Sequence, residues 1–308
     1  MRLVQFLGLN SGKQFVIIFV TVLEIVAPVF LLALIGFSWV KLGFEYRVEF
    51  VTRLAMTLAV PCLIFTALMK TEIDPSALTT LLLASILAHS AIVAIGALGF
   101  WALNMRQQTY LAPFTFGNTG NLGLPLALFA FGAEGLSYAM VIFAVSAILS
   151  FTFGIWIVSG GSSLMRALKE PMVSATLLGT LFLWQGWRTP DFLTNTLELV
   201  GQMAIPMMLI TLGVAVARLK PGRIGQAFIL TFVKYGVCAG VALAIGTALG
   251  LSDIPLAVLV LQTATPVAVT AYLLAQKYGG DADAIAGLVV VSTLMSVAAI
   301  PLLLAFLL

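Results

Sequence analysis

Apolar runs of roughly 20 residues recur along the whole of this 308-residue chain, each long enough to cross ~30 Å of hydrocarbon as a helix. Backbone in lipid has to satisfy its own amides, so such runs restrict the chain to a bundle of membrane helices. Composition agrees, with 61% hydrophobic and 9% charged residues, against about 25% charged in soluble domains. One all-α membrane domain is expected, embedded in the lipid bilayer, rather than the two soluble domains the length alone would allow.

Cutting at charged and turn-rich stretches predicts ten spans, near 15–40, 50–69, 77–101, 109–131, 135–159, 170–187, 192–217, 224–250, 253–277 and 283–308. The punctuation between them includes Lys70 to Pro75, Gly160 to Ser163, Arg188 to Asp191, Lys220 to Arg223 and Gly279 to Asp283. The first run is longer than a signal-peptide core and has a counterpart later in the chain, so it is read as a retained span. Ten spans put both termini on one side. Loops 1-2, 3-4, 5-6, 7-8 and 9-10 hold Lys41, Arg47, Arg53, Arg106, Arg166, Lys169, Arg218, Lys220, Arg223 and Lys277, whereas the other side holds Arg2, Lys13, Lys70 and Arg188. The positive-inside rule makes the first side cytoplasmic and predicts both termini outside, in a plasma membrane of the bacterial inner-membrane type.

The chain also repeats itself with a period of about 145 residues. Pro28, Gly36 and Gly43 align with Pro171, Gly179 and Gly186; Pro61 and Thr66 align with Pro206 and Thr211. Phe131-Gly132-Ala133-Glu134 aligns with Tyr278-Gly279-Gly280-Asp281. Five spans per half is odd, so the second copy enters the membrane from the opposite side. The expected architecture is therefore two inverted five-helix repeats, residues 1–159 and 160–308, a plan recurrent in secondary transporters.

Span 4 carries Phe116-Gly117-Asn118-Thr119-Gly120-Asn121-Leu122-Gly123-Leu124-Pro125, a run of poor helix formers at mid-membrane depth. Span 9 carries Gln262-Thr263-Ala264-Thr265-Pro266-Val267-Ala268-Val269-Thr270 at the equivalent place. Irregular backbone at that depth is tolerated where it is buried in protein or lines a cavity, and paired discontinuous helices point to a transporter site. Each break exposes amide donors and a half-helix N-terminus, which attract an anion such as a carboxylate. Asn118, Thr119, Gly120, Asn121, Pro125, Thr263, Thr265, Pro266, Val267 and Thr270 are the candidate substrate-binding residues. The competing reading is that Gly117, Gly120 and Gly123 serve close helix packing and the asparagines bond between helices.

These motifs carry a family resemblance. Asn118-Thr119-Gly120-x-x-Gly123-Leu124-Pro125, with Pro266-Val267-Ala268-x-x-Ala271-Tyr272 and the ending Tyr278-Gly279-Gly280-Asp281, resembles the auxin efflux carrier family, whose members include plant auxin exporters and bacterial carriers of malate- or malonate-like acids. The resemblance implies ten spans in two inverted repeats, with helices 4 and 9 crossing at their prolines, as in sodium/proton antiporters and bile-acid symporters. It also implies a scaffold drawn mainly from spans 1, 2, 6 and 7, a transport part drawn mainly from spans 3–5 and 8–10, and often a homodimer. Asn118, Pro125 and Pro266 map onto the crossover positions. The sequence departs from the pattern at Thr270, where many relatives carry a second asparagine.

Glu24, His89 and Lys234 are ionisable residues inside spans and are the coupling candidates. The plainer readings are a neutral His89 bonded to a nearby carbonyl, and a Lys234 that snorkels to the cytoplasmic surface or pairs with Glu24. Cys62 and Cys238 have no metal-ligand spacing and are read as packing residues. No cofactor is implied, no basic run suits nucleic acid, and the enzyme signatures HExxH and GxSxG are absent. The function expected is a secondary carrier of a small carboxylate, such as a dicarboxylate or an auxin-like acid. The alternatives are a sodium-coupled carrier like the bile-acid symporters and a membrane anion sensor that moves nothing.

Overall fold

Proline and glycine set where the helices of this chain bend, widen and stop. The structure is a computed structural model that describes residues 11–70, 75–159, 171–278 and 280–307. Arg2, Arg166, Lys169, Gly279 and the turns expected at Lys70 to Pro75 and Gly160 to Ser163 lie wholly or partly outside the described residues. The elements are α1 (Ser11–Lys41), α2 (Val48–Lys70), α3 (Pro75–Ala102), α4 (Gln107–Thr115), α5 (Thr119–Val158), α6 (Pro171–Gln185), α7 (Asp191–Arg218), α8 (Ile224–Ala248), α9 (Asp253–Thr263), α10 (Val269–Lys277) and α11 (Ala282–Leu307). No strand is formed among the described residues beyond one isolated bridge.

Seven of these stretches are long and apolar enough to cross a membrane: α1 from Val22 onward, α2, α3, α5, α7, α8 and α11. The difference from ten has a local cause in each case. α4, α9 and α10 are short because the backbone leaves the helix at Phe116 and at Thr265. α5 runs 40 residues, about 60 Å or twice the hydrocarbon thickness, but Gly132 within it sits at φ 65 and ψ −156. That conformation is open essentially only to glycine, and it turns the chain where Phe131-Gly132-Ala133-Glu134 was read as a boundary. α6 begins at Pro171, directly after undescribed residues.

α1 lies along the second part of α7, and α2 packs against α6 and the first part of α7. The α1–α7 approach is backbone against backbone. A β-carbon on Gly36 would run into the Ile210 carbonyl, and one on Gly213 would run into the Ala33 carbonyl, so both sites require glycine. α8 packs against α3, α9 and α11, while α9 also lies against α5. Three wide, π-helical turns interrupt the helices, at Ala55–Ala59, Thr119–Gly123 and Ser150–Gly154. The first two stand immediately before Pro61 and Pro125, whose missing N–H breaks the ordinary i→i−4 ladder onto Thr57 and Asn121.

Candidate functional site

The two irregular stretches meet as backbone. Gly117 and Val267 form an antiparallel bridge, and the Asn118 amide donates to the Pro266 carbonyl at 2.6 Å. Pro266 has no N–H and disfavours helical geometry at Thr265, which ends α9. The Thr265 hydroxyl then donates to the freed Gln262 carbonyl at 2.8 Å, and the Val267 amide donates to Ser292 Oγ of α11 at 2.9 Å. On the other strand Phe116 is extended and Asn118 caps α5, its Oδ1 accepting from the Asn121 amide at 3.2 Å. Gly117 is required by proximity, since a β-carbon there would overlap the Thr265 side chain and lie 2.8 Å from its carbonyl oxygen.

A cavity of about 190 Å³ opens beside this contact. The N-terminal turns of two half-helices line it, Thr119, Gly120 and Asn121 of α5 and Val269, Thr270 and Ala271 of α10. It extends to Gln108, Val158 and Asp281, at helix ends next to the loops holding Arg106 and Arg223. Asp281 is the only charged residue among its described lining residues, and no cation is among them. Asn118 lines it while 4% exposed, and its Nδ2 donor has no partner in the protein.

Of the predicted site residues, Asn118, Thr119, Gly120, Asn121 and Thr270 face the cavity. Pro125, Thr263, Thr265, Pro266 and Val267 are buried and do not line it. Thr263 is engaged elsewhere, donating to Leu259 O at 2.9 Å, and Thr265 and Val267 hold the bridge itself. The ionisable candidates separate as well. Glu24 is exposed on α1. His89 is buried, with Nδ1 2.8 Å from the Ser85 carbonyl and its ring stacked on Phe116 at 6.2 Å. A carbonyl only accepts, so Nδ1 carries the proton of that bond. Lys234 is 1% exposed and does not snorkel; its Nζ donates to the Phe114 carbonyl at 2.9 Å.

Sequence reasoning missed the opposite wall. Thr52 and Met56 of α2 and Phe143, Ser146, Ser150 and Gly154 of α5 complete the cavity. Part of that wall was written in the spacing, since Ser146, Ser150 and Gly154 recur every four residues along an otherwise apolar helix. All three π-helical turns contribute lining residues, and such turns concentrate at functional sites.

Comparison with known proteins follows the same lines. A family model described as "Membrane transport protein" matches residues 21–163 and 155–304. An "Uncharacterized transporter" of Methanothermobacter thermautotrophicus is 26% identical over 303 residues, which cover 92% of this chain and 98% of that protein. A "Putative malonate transporter" of Rhizobium meliloti is 25% identical over 265 residues, covering 79% of this chain and 82% of its own length. With its apolar helices and with nearly its whole length matched, the chain is a multi-pass membrane protein and belongs to the membrane transport protein family of auxin efflux carriers that its motifs resemble.

Proposed function

We propose that this protein is a secondary carrier of a small organic anion, working by alternating access around the contact between Gly117-Asn118 and Pro266-Val267. The observation that carries the reading is Asn118: a buried amide donor without a partner, facing a cavity that also receives two half-helix N-termini. An unpaired buried donor costs about 1–3 kcal/mol, and a carboxylate is the acceptor that turns this cost into a charge-assisted bond. The relative named as a malonate transporter agrees with that class, and malonate is the first substrate to test.

The same proposal includes ten membrane helices in two inverted repeats. Interrupted spans 4 and 9 would cross at the bridge, between a scaffold of spans 1, 2, 6 and 7 and a transport part of spans 3–5 and 8–10. Packing supports it, because the α1–α7 contact of Gly36 on Ile210 has a partner in the α6–α2 contact of Gly179, which meets Leu68 first and the Phe65 backbone next. Gly36 and Gly179 are 143 residues apart, and Phe65 and Ile210 are 145 apart, which is the sequence repeat. Both termini lie outside, the cavity opens to the cytoplasm, and two copies pair as the resemblance implies. Coupling falls to the buried His89 rather than to exposed Glu24.

The test is flux in proteoliposomes with malonate, monocarboxylates and indole acids, compared between the natural protein and Pro266→Ala. Saturable flux of at least one acid, lost in the variant, is the expected result; flux of none of them refutes the reading. A sodium-coupled carrier is the second reading, favoured by Gln262, a fully buried side chain whose Oε1 and Nε2 both lack partners. Transport unchanged when sodium is replaced by choline excludes it.

A further inference from the structure

A carboxylate that enters the cavity leaves water for a wall with no cation among its described residues, and its charge needs compensation from somewhere. Lys234 is the only Lys, Arg, Asp or Glu buried among the described side chains. Its Nζ donates to the carbonyl of Phe114, one of the last residues of α4, where helix carbonyls lack internal partners and the dipole is negative, the end of a helix that favours a positive charge. Lys234 also shares a small void of about 10 Å³ with Phe114 and Val267, so it reaches the back of the bridge whose neighbours Asn118 and Ala268 line the cavity. Thr231, one turn earlier on α8, lines the same void with an unpartnered hydroxyl. Lys234 stands 145 residues after His89, the spacing that relates Pro61 to Pro206, and both side chains address the end of α4, one at Phe114 and one at Phe116.

We infer that Lys234 is the fixed counter-charge for the transported anion: a positioning residue that holds the end of α4 and supplies, protonated behind the Gly117–Val267 bridge, the positive charge that the described residues of the cavity wall lack. It never touches the substrate. The inference rests on the anion-carrier reading above and adds to it the origin of selectivity for charge. A carrier built this way favours the more highly charged member of a series of similar size, here malonate over its monoamide malonamate.

The experiment measures KM and kcat for malonate and malonamate in proteoliposomes containing the natural protein, Lys234→Gln, Lys234→Met and Lys234→Arg. Glutamine keeps a donor for the Phe114 carbonyl and removes the charge, methionine removes both, and arginine keeps both. The preference for malonate should fall about tenfold or more in Lys234→Gln, the scale of one unit charge several ångströms away in a protein interior, and persist in Lys234→Arg. Equal losses for both substrates in Lys234→Gln, or an unchanged preference, overturns the counter-charge role while leaving the carrier reading intact. Failure of the natural protein to move either acid removes both. Should Lys234→Met not fold, Lys234→Gln against Lys234→Arg decides alone, because that pair separates charge from the hydrogen bond.

Discussion

Replacing Asn118 separates its two duties, because its two side-chain atoms do different things. Oδ1 accepts from the Asn121 amide and caps α5, whereas Nδ2 is buried without a partner. Asn118→Ala loses the cap, about 1 kcal/mol, and also removes an unsatisfied donor whose burial costs about 1–3 kcal/mol. These terms oppose each other, so the unliganded protein should melt close to its natural temperature. Anion binding loses a charge-assisted bond worth about 1.5–3 kcal/mol, a rise of roughly ten- to a hundredfold in KM for malonate. Asn118→Asp keeps an acceptor for the cap and places a negative charge where the anion sits. Two unit charges ~4 Å apart repel by about 4 kcal/mol at an effective dielectric of 20, or about a thousandfold in affinity. Thermal unfolding in detergent and malonate flux in proteoliposomes, measured on the same preparations, check both halves. A well-folded Asn118→Asp protein that carries malonate at the natural rate would refute the assignment of Nδ2 to the anion.

Gly213→Ala should lower thermal stability strongly, since the added β-carbon meets the Ala33 carbonyl and lies 2.9 Å from the Phe37 amide nitrogen; overpacking of this kind costs about 1–3 kcal/mol and shows as a reduced melting temperature. Gly132→Ala should destabilise by about 1–3 kcal/mol because its φ of 65 and ψ of −156 are closed to alanine, with no collision to relieve; a stability equal to the natural protein's would mean that the chain does not turn there. Arg223→Gln breaks a 2.8 Å ion pair with Asp281 on a half-exposed surface and should cost no more than about 1 kcal/mol, screened further by salt. Asp281→Ala loses that pair together with the 3.1 Å cap of the Ala284 amide, so its unfolding should shift further than that of Arg223→Gln.

The membrane character and the family of this chain were legible in the sequence because both rest on composition and on local motifs. The apolar runs set helix number within the limits of length, and Pro266 and Gly117 marked where regular backbone fails. Side-chain direction was not legible. Thr263 and Thr265 sit two residues apart in a run expected to bind substrate, yet both hydroxyls turn to backbone carbonyls of α9, Thr263 to Leu259 one turn back and Thr265 to Gln262, which Pro266 leaves free. A threonine at a broken helix end has that local partner available before any ligand arrives, and sequence carries no sign of which it takes. The far wall of the cavity escaped for another reason: Thr52 and Met56 reach it across some sixty residues of chain, a contact that periodicity along one helix does not encode.

A described cavity wall without a cation is also what the proposed anion carrier needs kinetically. Were a lysine to line the cavity, the anion would form a direct ion pair in a low dielectric, and release would have to break that pair before water could reach it. A neutral donor such as Asn118 Nδ2 gives a moderate bond, and water entering the open side can replace it. The empty carrier must move as well as the loaded one. A lysine exposed to the cavity would lie bare in that return step, whereas Lys234 has a protein partner of its own in the Phe114 carbonyl. On the proposed reading, placing the charge behind the bridge favours binding and spares the return step. This makes an expectation that a cavity-facing cation would reverse: in a Thr270→Lys variant malonate should bind more tightly in thermal-shift titrations, yet turn over more slowly in proteoliposomes. Tighter binding with unchanged or faster turnover would show that release of the anion does not limit this carrier.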